Sequence, residues 1–319
     1  MERRTATIAL AALLLCTGSV FGAETRELTT QGKVAPVKRV AIISIVIDDV
    51  GNRREEGLRA IELPGALTYA ILPHTAHGST LARLAHSLDK EIIVHIPMEA
   101  IGAKPLGRGG LTADLSRQQF EQRTLAAIGS IPHAQGVSNH MGSHLTTMER
   151  PMQWLMNILL GRKNWMFLDS RTTAESVAEA TARHVGLRTT FRDVFLDNEV
   201  NVTAIRARFR ELLDKARRHG SAVAIGHPYP LTLQVLAEEL PHFVASNRTS
   251  AVGGNPSRDA RRNIRLVPLS HLIAKRSRRV ARASQRARAS SFTAPTSTVL
   301  HGAKAPDTLL IPVRPRSNN

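Results

Sequence analysis

Residues 40–47, Val-Ala-Ile-Ile-Ser-Ile-Val-Ile, form an apolar and largely β-branched run that stops abruptly at Asp48-Asp49. A run of that kind, without polar alternation, suits a strand buried on both faces of a parallel sheet. An amphipathic stretch at 54–63 follows, and short apolar runs then continue to alternate with helical periodicity. The pattern predicts further strands at 67–72, 91–97, a short one ending at Ser138, then 165–168, 189–196, 222–225 and 264–268. Helices are predicted at 79–88, 116–129, 149–161, 174–184, 202–219 and 231–240, with a Gly-rich loop at 102–110. Strands that alternate with helices build βαβ units, so the fold class is α/β with a parallel sheet, open or closed into a barrel. In both layouts chemistry belongs at the carboxyl ends of the strands.

Those ends carry the chain's concentrated polar residues: Asp48-Asp49, His140, His144, Asp169, Asp193 and His227. Carboxylates and imidazoles are costly beside apolar strands unless something uses them, and a divalent metal with an activated water would. Adjacent aspartates at a strand terminus point to opposite sides, so one can meet a metal and the other a water or substrate. The plainer reading is an acidic cap ahead of Arg53-Arg54-Glu55-Glu56. His140 and His144 lie four apart, a spacing that puts both imidazoles on one face of a helical turn, within reach of one cation. Met141 stands where a zincin would have glutamate, which sets a zincin peptidase helix aside.

The remaining strand ends are less specific. Asp169 and Arg171 could form a simple ion pair. Asp193 and Asp197 flank Val194-Phe195-Leu196, an alternation that directs both to one side of a strand. His227 sits between Gly226 and Pro228, in a rigid turn, and its near-neutral titration suits a general acid. His95 and Glu99 are further candidates for lining the same cleft, with a buried hydrogen-bonded histidine and a loop acid as the plainer reading. Two imidazoles and one carboxylate would leave coordination positions open, as a catalytic site requires.

Composition changes the picture at both termini. Arg3-Arg4, an apolar run at 8–15 and small residues around Gly22-Ala23 have the layout of a secretory signal peptide over 1–23, shorter than the ~20 apolar residues of a spanning helix. The only cysteine, Cys16, falls inside it, and Leu15 is too bulky for a lipidation cleavage there. An exported chain without thiols relies on its core, and any metal is held by nitrogen and oxygen. A linker at 24–38, a domain at 39–273 and a tail at 274–319 complete the division. The net charge is +17, yet the last 46 residues alone hold 10 Lys/Arg against 1 Asp/Glu. That tail has no apolar period for a core and reads as a disordered basic extension, suited to an anionic envelope surface. With aromatics at 4% and no recognisable binding module, a specific nucleic-acid partner is disfavoured.

Taken in order, Ile47-Asp48-Asp49, His140-x-x-x-His144, Asp169-Ser-Arg171, Arg192-Asp193 and Gly226-His227-Pro resemble the divergent polysaccharide deacetylases, relatives of the NodB-type chitooligosaccharide deacetylases. The resemblance spans 40–271 and extends to His95-Ile-Pro-Met-Glu99 and Val194-Phe-Leu-Asp-Asn198. It implies a distorted (β/α) barrel of about seven parallel strands and a metal-dependent carbohydrate esterase mechanism, with Zn²⁺ the expected ion. It further implies Asp48 as general base, Asp49, His140 and His144 as metal ligands, and His227 as general acid. Asp169, Arg171 and Asp193 would orient the base, the acid or the substrate. The chain departs from the better-known deacetylases at Val46-Ile47, where Thr-Phe is usual, and at Met141 and Leu145, where Ser or Thr and Pro are common.

The implied reaction removes N-acetyl groups from an envelope glycan, for which peptidoglycan is the obvious polymer. The residues leave two other readings open. One is a non-catalytic envelope protein whose barrel binds glycan or a cell-division partner; the other is a metal-dependent envelope amidase.

Overall fold

The computed structural model describes residues 40–102, 104–244 and 263–291. The expected leader and linker, and the tail from 292 on, lie outside the described residues. The chain runs β1 (Ala41–Val50), α1 (Arg54–Glu62), β2 (Thr68–Ile71), α2 (Gly78–Ser87), β3 (Glu91–Met98), α3 (Arg117–Ser130) and β4 (Gly136–Met141). After a 3-10 turn (Leu145–Thr147) come α4 (Glu149–Leu160), β5 (Met166–Asp169), α5 (Ala178–His184), β6 (Arg188–Phe191) and β7 (Val194–Phe195). The last elements are α6 (Val202–His219), β8 (Ser221–Gly226), α7 (Pro230–Glu239), β9 (Ile264–Leu266) and α8 (Leu269–Ser291).

The strands are parallel and follow the order β6-β5-β4-β3-β2-β1-β8-β7, with β9 beside the start of β1. They form a half-barrel wrapped by helices, the distorted (β/α) barrel class expected. The strand number exceeds about seven because the stretch predicted as one strand at 189–196 supplies both β6 and β7, and β7 has only 2 residues.

β1 explains its own lack of alternation. Ile43, Ile45 and Ile47 pack into the main core, while Ile42 and Val46 join a second cluster with Ile93, Leu168, Val223 and Ile225. Both faces are buried, so both are apolar until Asp48. Leu269, Leu272 and Ile273 of α8 belong to that second cluster and lie at the amino-terminal mouth of the half-barrel. Leu269 N–H there donates to Thr68 Oγ1, and Ser270 N–H donates to the Glu91 carboxylate at 3.1 and 3.2 Å.

Two expectations are corrected here. The predicted strand at 189–196 is two strands on opposite edges of the sheet, broken at Arg192-Asp193. Arg192 N–H donates to Asp169 O at 3.0 Å, beside β6, and Asp193 N–H donates to Val223 O at 2.9 Å, in β8. Consecutive residues thus bond to the two sides of the open seam. The boundary at 273/274 also falls inside a helix, since α8 runs on to Ser291. Alanine and arginine are strong helix formers. Its first basic residues are also tied down: Arg276 bonds Thr190 Oγ1 at 2.7 Å and Lys275 donates to Val40 O at 2.9 Å. By contrast the helix predicted at 202–219 is found with those bounds, because Asn201 accepts from Ala204 N–H and Gly220, at φ 81°, closes it in the left-handed region.

Candidate metal centre and active site

β1 delivers Asp48 and Asp49 to the carboxyl-terminal end of the sheet. Asp48 continues the strand's period and is 3% exposed. Asp49 has φ 58°, a left-handed conformation that breaks the period, so the two carboxylates do not diverge as an extended strand would require. Both face His95: its Nε2 lies 3.4 Å from Asp48 Oδ2 and 3.3 Å from Asp49 Oδ1. His95 sits on β3 in register with Ser138 of β4, and its Nδ1 is 2.7 Å from Ser138 Oγ. A bond from Nδ1–H to Ser138 would free Nε2 to serve as a metal ligand.

His140, two residues along β4 from Ser138, places Nδ1 2.7 Å from Asp49 Oδ1. That contact is close but not aligned: Asp49 Oδ1 is buried and receives no hydrogen bond of good geometry, and Asp48 Oδ1 is likewise unsatisfied. Such orphaned oxygens beside imidazole nitrogens fit a cation held between them. Among the described residues, Asp49, His95 and His140 are the group whose donor atoms all lie within 4.8 Å of one another. Nitrogen and carboxylate oxygen suit zinc or a similar divalent ion.

His144, expected among the ligands, is not part of that group. β4 carries His140 and ends at Met141, at φ 52°, followed by Gly142 at φ 91°, so residues 140–144 do not form the helical turn that would place both imidazoles on one face. His144 instead sits at the half-exposed rim, with Nε2 3.8 Å from Glu99 Oε1. Glu99 is also engaged elsewhere, accepting Ala113 N–H at 2.6 Å.

On the other side of the aspartates stands His227, with Nε2 3.8 Å from Asp49 Oδ2. Its Nδ1 lies 2.9 Å from Asp197 Oδ1, its backbone N–H donates to Asp197 Oδ2 at 2.6 Å, and Thr232 donates to the same oxygen at 2.8 Å. Burial lowers the His227 pKa, but the hydrogen bond and charge of Asp197, with Asp48 and Asp49, reverse this and raise it to about 9. Burial also raises the pKa of Asp48, against the opposing charges of His95 and His227. For Asp49 burial acts upward too, yet His140 and His95 outweigh it and hold the carboxyl well below the usual range.

Three supporting residues lie apart from this centre. Asp169 is buried and spends its oxygens locally, accepting Arg171 N–H at 2.8 Å, Ser176 Oγ at 2.7 Å and Glu179 N–H at 3.3 Å; it orders the entry to α5. The Arg171 guanidinium forms no ion pair with it and instead lies 3.5 Å from the centroid of the Phe191 ring. Asp193 accepts Val223 N–H at 2.7 Å and pairs with Arg276 at 2.6 Å, which makes it a brace of the seam. Asp193 and Asp197 flank β7 but have separate partners, Val223 N–H and Arg276 for the first and His227 and Thr232 for the second. Asp197 carries a signal of its own in the sequence: an aspartate directly after the apolar run Val194-Phe195-Leu196 and four residues ahead of the Asn201 cap, with no helix of its own to cap.

The sequence matches the family described as divergent polysaccharide deacetylase over residues 45–250. It is 36% identical to the uncharacterized protein YibQ of Escherichia coli (strain K12) over 220 residues, 68% of this chain and 69% of that one. It is 37% identical over 194 residues to an uncharacterized protein of Haemophilus influenzae, covering 61% of this chain and 69% of that one. The fold is similar to the crystal structure of the uncharacterized protein ATU2773 from Agrobacterium tumefaciens C58, with TM-score 0.63 and 23% identity over 73% of this chain and 89% of that chain. The matched region begins within β1, just before the aspartate pair, and takes in every histidine and carboxylate of the centre: the chain belongs to the divergent polysaccharide deacetylase family.

Proposed function

We propose that this protein is a metal-dependent hydrolase that removes N-acetyl groups from an envelope polysaccharide. The observation that carries the reading is the aspartate pair, which faces His95 and His140 on one side and the Asp197-held His227 on the other. Asp49, His95 and His140 would hold the ion, for which zinc is favoured by the donor set. When bound, the cation supplies polarisation of the acetamide carbonyl and acidification of a neighbouring water. Asp48, with one oxygen free of hydrogen bonds and its proton affinity raised by burial, takes the proton from the attacking water. His227, charged near neutral pH and anchored through Nδ1, gives its Nε2 proton to the departing amine. Acetate and a free amino group on the sugar are the products.

An exported, periplasmic location rests on the leader-like layout of 1–23, and peptidoglycan is the N-acetylated polymer such a location offers. Arg278 and Arg282 on the exposed part of α8 suit contact with an anionic envelope surface.

Metal analysis and acetate release from N-acetylated glycans test the reading. The wild type binds zinc and releases acetate; Asp48→Ala keeps the metal and loses activity by at least about 100-fold; His140→Ala loses both. Zinc binding without acetate release would establish a glycan-binding protein instead, and release of peptides without acetate an amidase.

A further inference from the structure

Beside the centre lies a groove of about 480 Å³ whose lining includes Arg171, Thr172, Arg192, Phe195, Asn198 and Arg208. Phe195 joins it to the site, with its ring 5.3 Å from the His227 ring and 4.8 Å from the Arg192 guanidinium carbon. The groove's own carboxylates are spoken for. Asp193 pairs with Arg276 at 2.6 Å, and Glu211 is shared by Arg208 at 2.9 Å and Lys215 at 3.0 Å. Arg171 and Arg192 form no ion pair among the described residues.

Both arginines are nevertheless held in place. Arg192 donates Nε to Ser170 O and Nη2 to Arg171 O, each at 2.6 Å. Among the described residues its Nη1 makes no such bond. Arg171 is exposed, its guanidinium carbon lies 3.5 Å from the centroid of the Phe191 ring, and among the described residues its side-chain N–H groups make no hydrogen bond. A stacked, planar fork is pre-organised for a carboxylate in a way a free lysine is not. Phe195, half-buried between His227 and Arg192, offers an aromatic face of the kind a sugar ring packs against.

We propose that this groove is a subsite for a carboxylate-bearing sugar residue adjoining the N-acetylated one, so that the preferred substrate is an acidic glycan. The subsite rests on the deacetylase reading for its position, with the acetamide at the aspartate pair and the neighbouring residue across Phe195. Arg171 and Arg192 receive the carboxylate, and Asn198 and Thr172 border it.

Titration calorimetry of the zinc-loaded full chain tests this with an N-acetylated oligosaccharide whose adjoining residue carries a carboxylate, and with the same oligosaccharide after reduction of that carboxyl to an alcohol. The acidic form binds about tenfold or more tightly at low ionic strength, and the preference shrinks as salt rises. Arg171→Gln brings the two affinities together, and Asn198→Asp, a change on the exposed rim, reverses the preference. Equal affinities in the wild type, or a preference untouched by both substitutions, would overturn the subsite. Acetate released equally from both oligosaccharides would also overturn it while leaving the deacetylase reading in place. A preference for the acidic form without any acetate release would keep the anionic subsite and sink the deacetylase reading.

Discussion

Asp197 grips His227 at two points, with Oδ2 accepting its backbone N–H at 2.6 Å and Oδ1 2.9 Å from its ring Nδ1. One fixes where the histidine stands in its Pro-bounded turn, and the other which nitrogen faces the aspartates. The same contact keeps the ring charged to about pH 9. Asp197→Asn keeps the shape and removes the charge, so His227 should titrate lower and the alkaline limb of the acetate-release profile should move down in pH. The rate should fall by roughly 100-fold or more. An unchanged alkaline limb in a folded variant would mean that His227 is not the acid.

Folding stability should carry the same signature. The His227 pKa is raised from about 6.5 in the unfolded chain to about 9 in the folded one. Its contribution is therefore fully present below about pH 6.5 and is lost as pH rises through 9. Urea denaturation of the metal-free protein, compared with His227→Asn, should show a stability gap of roughly 2–3 kcal/mol at pH 6 that closes by pH 10. A gap independent of pH would contradict the assignment.

The two histidines competing for the metal separate cleanly. His95→Ala removes a donor that is 2% exposed and lies between both aspartates, and zinc affinity should drop at least 10–100-fold. His144→Ala, on the half-exposed rim, should change it by less than about 3-fold, well short of a ligand's loss. Competition against a chromogenic chelator measures both. The reverse ranking would restore the i,i+4 histidine pair as ligands.

Glu91 opens β3 beneath the site and ties three elements together, accepting Thr68 Oγ1 at 2.8 Å and Ser270 N–H at 3.1 Å. Glu91→Ala leaves those donors unpaired in a buried place, and should cost about 2–3 kcal/mol of stability. Thermal and urea unfolding report it, while zinc affinity should hold, since the metal group lies at the opposite end of the strands. Loss of metal together with stability would show that the two ends are not independent.

Much of this was legible in the chain before any coordinates. The run at 40–47 ending in two aspartates announced a doubly buried strand with chemistry at its tip, and the helix predicted at 202–219 has the bounds that the Asn201 and Gly220 caps impose. What escaped reading depended on backbone torsion and on partners distant in sequence. The His140/His144 spacing suggested a shared face, but Met141 and Gly142 at positive φ end the strand in a turn and leave His95, 45 residues upstream, as the neighbour. Arg192-Asp193 sits inside an apparently continuous β pattern, and nothing local says that the chain crosses there from one side of the sheet to the other. Arg276 looked like part of a solvated tail because its partners, Thr190, Asp193 and Ser221, come from elements far earlier in the sequence.

That crossing also bears on how the molecule avoids sticking to copies of itself. An open sheet has two rims of unpaired amides and carbonyls, each a template for a strand from another chain. Here both rims belong to short strands joined by a two-residue link, and α8 packs along β6. The link itself is fixed on both sides, since Arg192 N–H bonds Asp169 O of β5 and Asp193 N–H bonds Val223 O of β8. The half-barrel thus leaves its open seam bounded by one short, continuous stretch of chain.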